Sequence, residues 1–337
     1  MRSSFLTRRL LRSKQVREFE QLAAETLDRL SRIDVAMGDL LSGEGAPPGF
    51  QPHHYLAPGV PRIRPMLVLL SVEAARRGEA HSGADPQRAE DLAAAAELLH
   101  LAIAVHDAAL GRQGGRRRRA ARRLVGGAVG WLGGHHLTLR ALEITRNEGP
   151  EILGDLLDAL REAAEGHALS QTLQGRPATV EQAMRHAENH TGAVFSFACR
   201  AGARLAGADR AVVSGLGRYG RHAGVAWHLA EDLALLTGEE RMDDAIEDRA
   251  TAGRPMLAVS LAAKRDPNVA RLWRDLSQGE SPELVPPLID AVVQLGAIDE
   301  GRRQLHQSAW TARRALNALP PSPHREALDL LVSGLRP

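Results

Sequence analysis

Apolar residues return at helical intervals along most of the chain. Between positions 15 and 42 they fall at Phe19, Leu22, Ala23, Leu27, Leu30, Ile33, Met37, Leu40 and Leu41, a rhythm of three and four that gathers them on one helix face. Ser42-Gly43 and a Pro/Gly-rich stretch reaching Pro52 end this helix. The same periodicity predicts helices over about 65–77, 86–109, 120–147, 150–174, 180–206, 208–237, 254–264, 267–277, 282–317 and 322–334, with Gly, Pro or Asp at the joins. A Gly/Arg-rich segment, 111–118, interrupts the pattern. No segment reads convincingly as a strand, so the fold class expected is all-α.

Composition agrees. Hydrophobic residues make up 44% of the 337 positions but aromatics only 3%, and the apolar residues are mostly Ala, Leu and Val, which suit closely packed helices better than sheets. Length alone allows two small domains or one large core. No linker is rich or long enough to divide the chain, and no period repeats. The expected organisation is a basic N-terminal segment, 1–18, followed by one helical domain over 19–337.

Charge excludes more than it indicates. The formal net charge is +2, and every basic residue except Lys14 and Lys264 is an arginine, so a general nucleic-acid role is not expected. One dense run, Arg116 to Arg119 with Arg122 and Arg123, is either a phosphate-attracting patch or a solvated helix face. Cys199 is the only cysteine, which excludes an intrachain disulfide framework and a cysteine-ligated zinc site and fits a reducing cytoplasm. Met1 to Lys14 alternates apolar and Arg residues without the continuous apolar core of a secretory signal. A long charge-free stretch, Leu124 to Leu139, contains five glycines and two histidines and is too short to span a bilayer comfortably. The reading is a soluble, cytoplasmic protein with no transmembrane segment.

The segment Leu98-Leu-His-Leu-Ala-Ile-Ala-Val-His-Asp107, followed nine and ten residues later by Arg116-Arg117, resembles the first aspartate-rich region of the trans-isoprenyl diphosphate synthases. There a histidine-bearing helix leads to DDxxD and then to an Arg pair. Here the five positions read Asp107, Ala108, Ala109, Leu110, Gly111. The second aspartate-rich region resembles Gly224-Val-Ala-Trp-His-Leu-Ala-Glu231-Asp-Leu-Ala-Leu235, with DDxxD replaced by Glu, Asp, Leu, Ala, Leu. Tyr55 to Pro65 is similar to the family's GGKRxRP segment, with Pro61 in the lysine position. His190-Thr191 stands where Lys-Thr is usual, Gly134-His135 where Gly-Asp is, and Gly253-Arg254-Pro-Met-Leu resembles GKxTL. Leu295-Gly-Ala-Ile and Ala315 to Pro320 resemble the closing helices. The resemblance runs over about 20–334 and implies a single-domain isoprenoid-synthase helical bundle.

In that family, magnesium ions clamped between the two acidic regions neutralise the diphosphate leaving group of an allylic substrate, whose carbocation is then attacked by isopentenyl diphosphate. The first and last acids of DDxxD share a helix face, and here they are Asp107 and Gly111. The resemblance leaves Asp107, Glu231 and Asp232 as catalytic remnants, with Asp107 and Glu231 the metal candidates. It therefore implies either no cofactor or weak Mg²⁺ binding. Each 1.36 kcal/mol of lost charge stabilisation is a factor of ten in rate, so normal elongation is not expected. The basic half is better kept: Arg62, His100 and Arg117 match contacts to isopentenyl diphosphate, and Arg116, Thr191 and Arg254 match contacts to the allylic diphosphate. Pro61, His190 and His228 replace two lysines and a glutamine. Guanidinium pairs chelate phosphate oxygens without a metal.

Each of these residues also has a plainer reading. Asp107 and Asp232 read equally as surface or capping acids, His100 and His106 as core histidines, and Asp243, Asp244, Glu247 and Asp248 as the solvated start of a helix. His135-His136 lacks a carboxylate at metal-binding spacing. Three functions stay open. One is a non-catalytic homologue binding a prenyl diphosphate, or pairing as a homodimer or as a heterodimer with an active synthase. Another is an active prenyltransferase using Asp107, Glu231 and Asp232, in which Ala102 and Ile103 leave the open floor that the family associates with longer products. The third is a scaffold or cargo protein docking through Arg8, Arg9, Arg12 and Arg17.

Overall fold

The computed structural model describes residues 13–42, 46–48, 50, 62–76, 85–110, 128–237, 243–279 and 281–336. Every element among them is helical: α1 Ser13–Leu22, α2 Ala24–Ser42, α3 Ile63–Ala75, α4 Pro86–Leu110, α5 Ala128–Glu148, α6 Pro150–Leu173, α7 Val180–Ala187, a π turn Glu188–Gly192, α8 Ala193–Leu205, α9 Arg210–Thr237, α10 Asp243–Thr251, α11 Leu257–Arg265, α12 Pro267–Leu276, α13 Val285–Gln294, α14 Ala297–Ala315 and α15 Pro323–Ser333. The all-α expectation holds. Among the described residues no helix is long and apolar enough to cross a membrane.

Local chemistry sets several boundaries. Thr179 caps α7 by accepting from the Gln182 amide while the Gln182 side chain accepts from the Thr179 amide, a reciprocal box that satisfies two otherwise orphaned donors. Asp266 and Ser322 accept from the Asn268 and Arg325 amides at the starts of α12 and α15, each followed by Pro at the first helical position, where its missing N–H costs nothing.

The structure divides three segments that the periodicity joins. The helix expected over 15–42 is two, meeting at Ala23, whose apolar side chain stays in phase and so gives no sequence signal. The helix expected over 282–317 breaks at Gly296, which takes φ +65 between α13 and α14, a conformation that glycine adopts without a Cβ penalty. The helix expected over 180–206 contains the π turn, and α10 starts at the acidic cluster Asp243, Asp244, Glu247 and Asp248, in keeping with its plainer reading as the start of a helix. The early part of the helix expected from 120 lies outside the described residues, as do Arg8, Arg9, Arg12, Tyr55 to Pro61, Arg116 and Arg117.

The centre of the bundle is α9, buried at Val212, Leu216, Tyr219, Val225, Ala226, Leu229, Ala230 and Leu233. It lies between α8 and α14, while α4 packs on α5 and α3 on α8. Glycines let α9 come close to its neighbour: a Cβ on Gly224 would stand 2.7 Å from the Thr191 carbonyl oxygen, and one on Gly220 would meet the Phe195 carbonyl. The buried Tyr219 hydroxyl donates to the Leu328 carbonyl at 2.7 Å, tying α9 to the last helix.

Candidate functional site

The close approach of α9 to the π turn gathers residues from six helical elements and the loop at Arg254. Asp107, near the end of α4, puts Oδ1 2.6 Å from His167 Nε2 of α6. Its Oδ2 lies 3.3 Å from His190 Nε2 of the π turn and 3.8 Å from an Arg254 guanidinium nitrogen. Burial opposes ionisation of this carboxyl, but His167, His190 and Arg254 outweigh it and hold it well below the usual carboxylate range. For His167, burial favours the neutral ring and the Asp107 carboxylate more than reverses that, so its pKa is raised.

The histidines continue inward. His186 of α7 stacks on His190 with ring centroids 5.2 Å apart, and lies 5.4 Å from the His228 ring of α9. His228 Nδ1 and Thr191 Oγ1 share a hydrogen bond of 3.1 Å. Burial first, then neighbouring imidazoles and arginines, push the pKa of His186 and of His228 well below the ordinary histidine value. Both rings are neutral in this pocket at physiological pH.

Asp232 forms the opposite wall. One carboxylate oxygen lies 3.0 Å from Arg249 of α10 and the other 3.7 Å from His228 Nε2. Here burial wins: the Asp232 pKa rises to about 6 despite the attraction of Arg249. Glu231 accepts from Trp227 Nε1 one turn back on the same helix, at 3.0 Å.

The residues matched to isopentenyl diphosphate contacts part company. Arg62, expected to contact that substrate, is buried, its Nε 2.7 Å from Asp34 and a terminal nitrogen 3.1 Å from Glu97. As it stands it braces α2 and α4 against the start of α3, with its Nε and one terminal nitrogen committed to carboxylates. Its neighbour Arg64 lies 5.7 Å from the centroid of the Phe195 ring and 4.0 Å from Glu97, and burial lowers its pKa. His100 is neutral, its pKa held well below 6.5 by burial and then by Arg64. The structure thus brings together Asp107, Thr191, Glu231, Asp232 and Arg254 with His100 nearby, and directs Arg62 elsewhere.

His106 belongs to a different group. Its ring meets Trp131 and His135 of α5 edge-on at 4.9 and 5.2 Å, and burial, then His135, lowers its pKa to about 4.

Three residues of the site were not foreseen: His167, His186 and Arg249. Each lies on a helix outside the two acidic regions, where a single polar residue in an amphipathic pattern carries no signal. The site does not fit a metal as it stands. Both of the carboxylates Asp107 and Asp232 are engaged by cationic or imidazole groups, and among the described residues no group of three His, Cys, Asp or Glu side chains is placed to hold an ion. What the arrangement offers is a cluster of N–H donors, in arginines and imidazoles, between the two carboxylates, which suits an oxyanion.

A central α9 packed against α8 and α14, with Asp107 and Asp232 joined through His190 and His228, defines an isoprenoid-synthase bundle. Residues 50–289 match the polyprenyl synthetase family, and the chain belongs to that family. It is 29% identical over 283 residues, 82% of this chain and 85% of the relative, to an octaprenyl diphosphate synthase of Escherichia coli. Its structure is similar to that of a geranylgeranyl pyrophosphate synthetase from Pyrococcus horikoshii, with TM-score 0.75, 26% identity, and 94% and 98% of the two chains covered. It is also similar to a polyprenyl synthase from Caulobacter crescentus complexed with calcium and isoprenyl diphosphate, with TM-score 0.74, 25% identity, and 93% and 96% covered.

Proposed function

We propose that this chain binds a prenyl diphosphate in the pocket between Asp107 and Asp232, and that protein cations, with no metal cluster, meet the diphosphate charge. The observation that carries the reading is the environment of Asp107, with His167, His190 and Arg254 all within 4 Å of its carboxylate. A diphosphate entering there displaces Asp107 as the partner of groups already aimed at an anion. Arg254 and Thr191 are its contacts, with His100 and Arg64 lining the approach. Arg116 and Arg117 complete the set by their place in the sequence. The complex with isoprenyl diphosphate recorded for the Caulobacter crescentus synthase supports the ligand class. Calorimetric titration with geranyl and farnesyl diphosphate, in magnesium and then in EDTA, tests the reading. Binding of equal strength in EDTA, lost in Arg254→Ala, is expected; binding only with magnesium overturns it.

A second reading is chain elongation. The naming of the Escherichia coli relative as an octaprenyl diphosphate synthase favours it, and in this chain Asp107, Glu231 and Asp232 are the residues for it. Product formation from isopentenyl and farnesyl diphosphate, abolished by Asp107→Ala, identifies this function, whereas activity unchanged by that substitution removes Asp107 from it. Association with a second copy or with an active synthase is read at the outer face of α5 and α6. There Trp131, Leu132, Leu139 and Leu157 are 43%, 56%, 58% and 50% exposed, more apolar surface than isolated exposed residues require. Sedimentation and co-purification of Leu132→Glu and Leu139→Glu variants test it; oligomers unaffected by the charges exclude this face.

A further inference from the structure

A second basic site lies on the outside of the bundle, in the groove between α8 and α9. The groove is a cavity of about 440 Å³ lined by Arg200, Arg204, Arg210, Arg218, Arg221 and His222, with Ser196, Ser214 and Gly217 on its floor and walls. It is distinct from the Asp107 pocket, none of whose residues line it. Its construction follows from the sequence. Arg200 and Arg204 are one turn apart on α8, and Arg210, Ser214, Arg218 and Arg221 follow the i, i+4, i+8, i+11 face of α9. Gly217 makes room for the stem of Arg200, since a Cβ there would stand 2.8 Å from Arg200 Cγ. The Ser196 hydroxyl donates to the Gly217 carbonyl at 3.0 Å and fixes the two helices at that point.

Acids on α6 order the inner arginines without using all their donors. Asp155 accepts from Arg200 and, at 2.7 Å, from Arg204 Nε, while Arg204 also reaches Glu151. Arg221 is chelated by Glu162 at 2.7 and 2.9 Å. The outer pair differ. Arg218 bonds only the Ser214 hydroxyl, at 2.8 Å, and neither it nor Arg210 meets a carboxylate among the described residues. The nearest acid in sequence, Asp209, turns its carboxylate to the Val212 amide at 2.9 Å. A guanidinium has five N–H donors, so Arg210, Arg218 and the outward edges of Arg200 and Arg204 converge on one hollow with donors to spare.

We propose that this groove is a binding site for a small phosphate-bearing anion, separate from the prenyl diphosphate pocket. The volume lies in the range of small-molecule sites. Planar guanidinium forks match tetrahedral oxyanions, and Val213 is the one aliphatic side chain among the residues that line the groove, too few to hold a lipid chain. Arg210 and Arg218 are the entry contacts, and Arg200 and Arg204 are the preoriented floor.

Calorimetric titration of the full chain with inorganic diphosphate in EDTA tests the site. The expected result is two binding events. The double variant Arg210→Glu/Arg218→Glu removes one of them, weakening it at least tenfold, and leaves the other; Arg254→Ala does the reverse. Arg218→Lys keeps the charge but not the fork and gives an intermediate loss. Circular dichroism and thermal midpoints close to wild type are expected for these exposed changes and separate loss of binding from loss of fold. A single event abolished by Arg254→Ala alone, or two events unmoved by the double charge reversal, overturns the site. A single event that the double charge reversal removes and Arg254→Ala leaves untouched counts against the prenyl diphosphate pocket and leaves the groove standing.

Discussion

Asp107 and Asp232 stand on different helices at the two ends of a run through His190 and His228, and each stands where a fuller set of acids is expected. Their states differ. Asp107 has three nitrogen-bearing partners from three elements and stays ionised well below the usual range, while Asp232, with Arg249 and a neutral His228, is raised to about 6. Both are largely buried, so burial alone does not separate them. What separates them is whether the polypeptide supplies enough positive charge to replace lost water. Burying a carboxylate costs several kcal/mol unless it is paired and hydrogen-bonded; the α4 end meets that cost and the α9 end does not.

The strongest test of the contrast is Asp107→Asn. Removing the carboxylate leaves His167, His190 and Arg254 facing one another, and breaking a buried pair in this way costs about 3 kcal/mol. Asp107 is depressed, so its contribution is present above the unfolded carboxylate pKa and is lost as pH falls. Chemical denaturation at pH 7 should therefore show the full loss and at low pH a smaller one. The His167 proton resonance should titrate at lower pH in the variant, and an unchanged midpoint would break the assigned pairing.

Gly224→Ala should cost about 2 kcal/mol, since an added methyl against the Thr191 carbonyl overpacks a helix contact that has no flexible neighbour to yield. It should also push the Asp232 wall away from His190. Thermal melts give the cost, and the resonance of His190 reports the displacement.

Asp232→Asn acts with the opposite sign from Asp107→Asn. Its folded pKa of about 6 lies above the unfolded value near 3.9, so the stability it confers is full below about pH 4 and is lost as pH rises through about 6. The variant cannot ionise. Its thermal midpoint relative to wild type should improve between pH 5 and pH 7.5, and a difference that stays flat would show that Arg249 compensates Asp232 after all.

The smallest effect is expected from Glu231→Gln. Glu231 is partly exposed, and its charge contributes to the raised pKa of Asp232. Stability should change by under about 1 kcal/mol, while the Asp232 titration moves down. An unmoved titration would leave burial as the whole cause.

Helices announced by regular spacing, such as α4, α6 and α9, were legible to within a few residues. The breaks were harder for particular reasons: Ala23 continues the apolar pattern across a real boundary, and the π turn at 188–192 adds a residue without altering composition. Gly296 was visible in the sequence but reads as tolerable within a helix until its positive φ is seen. The site was legible only where residues adjoin a recognisable pattern. Asp107, Thr191, Glu231, Asp232 and Arg254 were found that way. His167, His186 and Arg249 were not, because their convergence is created by tertiary approach through Gly220 and Gly224 and has no counterpart in linear spacing. Arg62 shows the reverse limit, since its position matched a ligand contact while Asp34, far away in sequence, claims its side chain.

Gly253 takes φ +67, and any Cβ placed on it would run into the Ser170 carbonyl of α6. The loop carrying Arg254 therefore rests directly on the backbone of the helix that carries His167, one turn away. His167 and Arg254, two of the three groups at the Asp107 carboxylate, thus share one mount, and a side chain forced in at Gly253 would disturb both together while His190 keeps its own seat on the π turn.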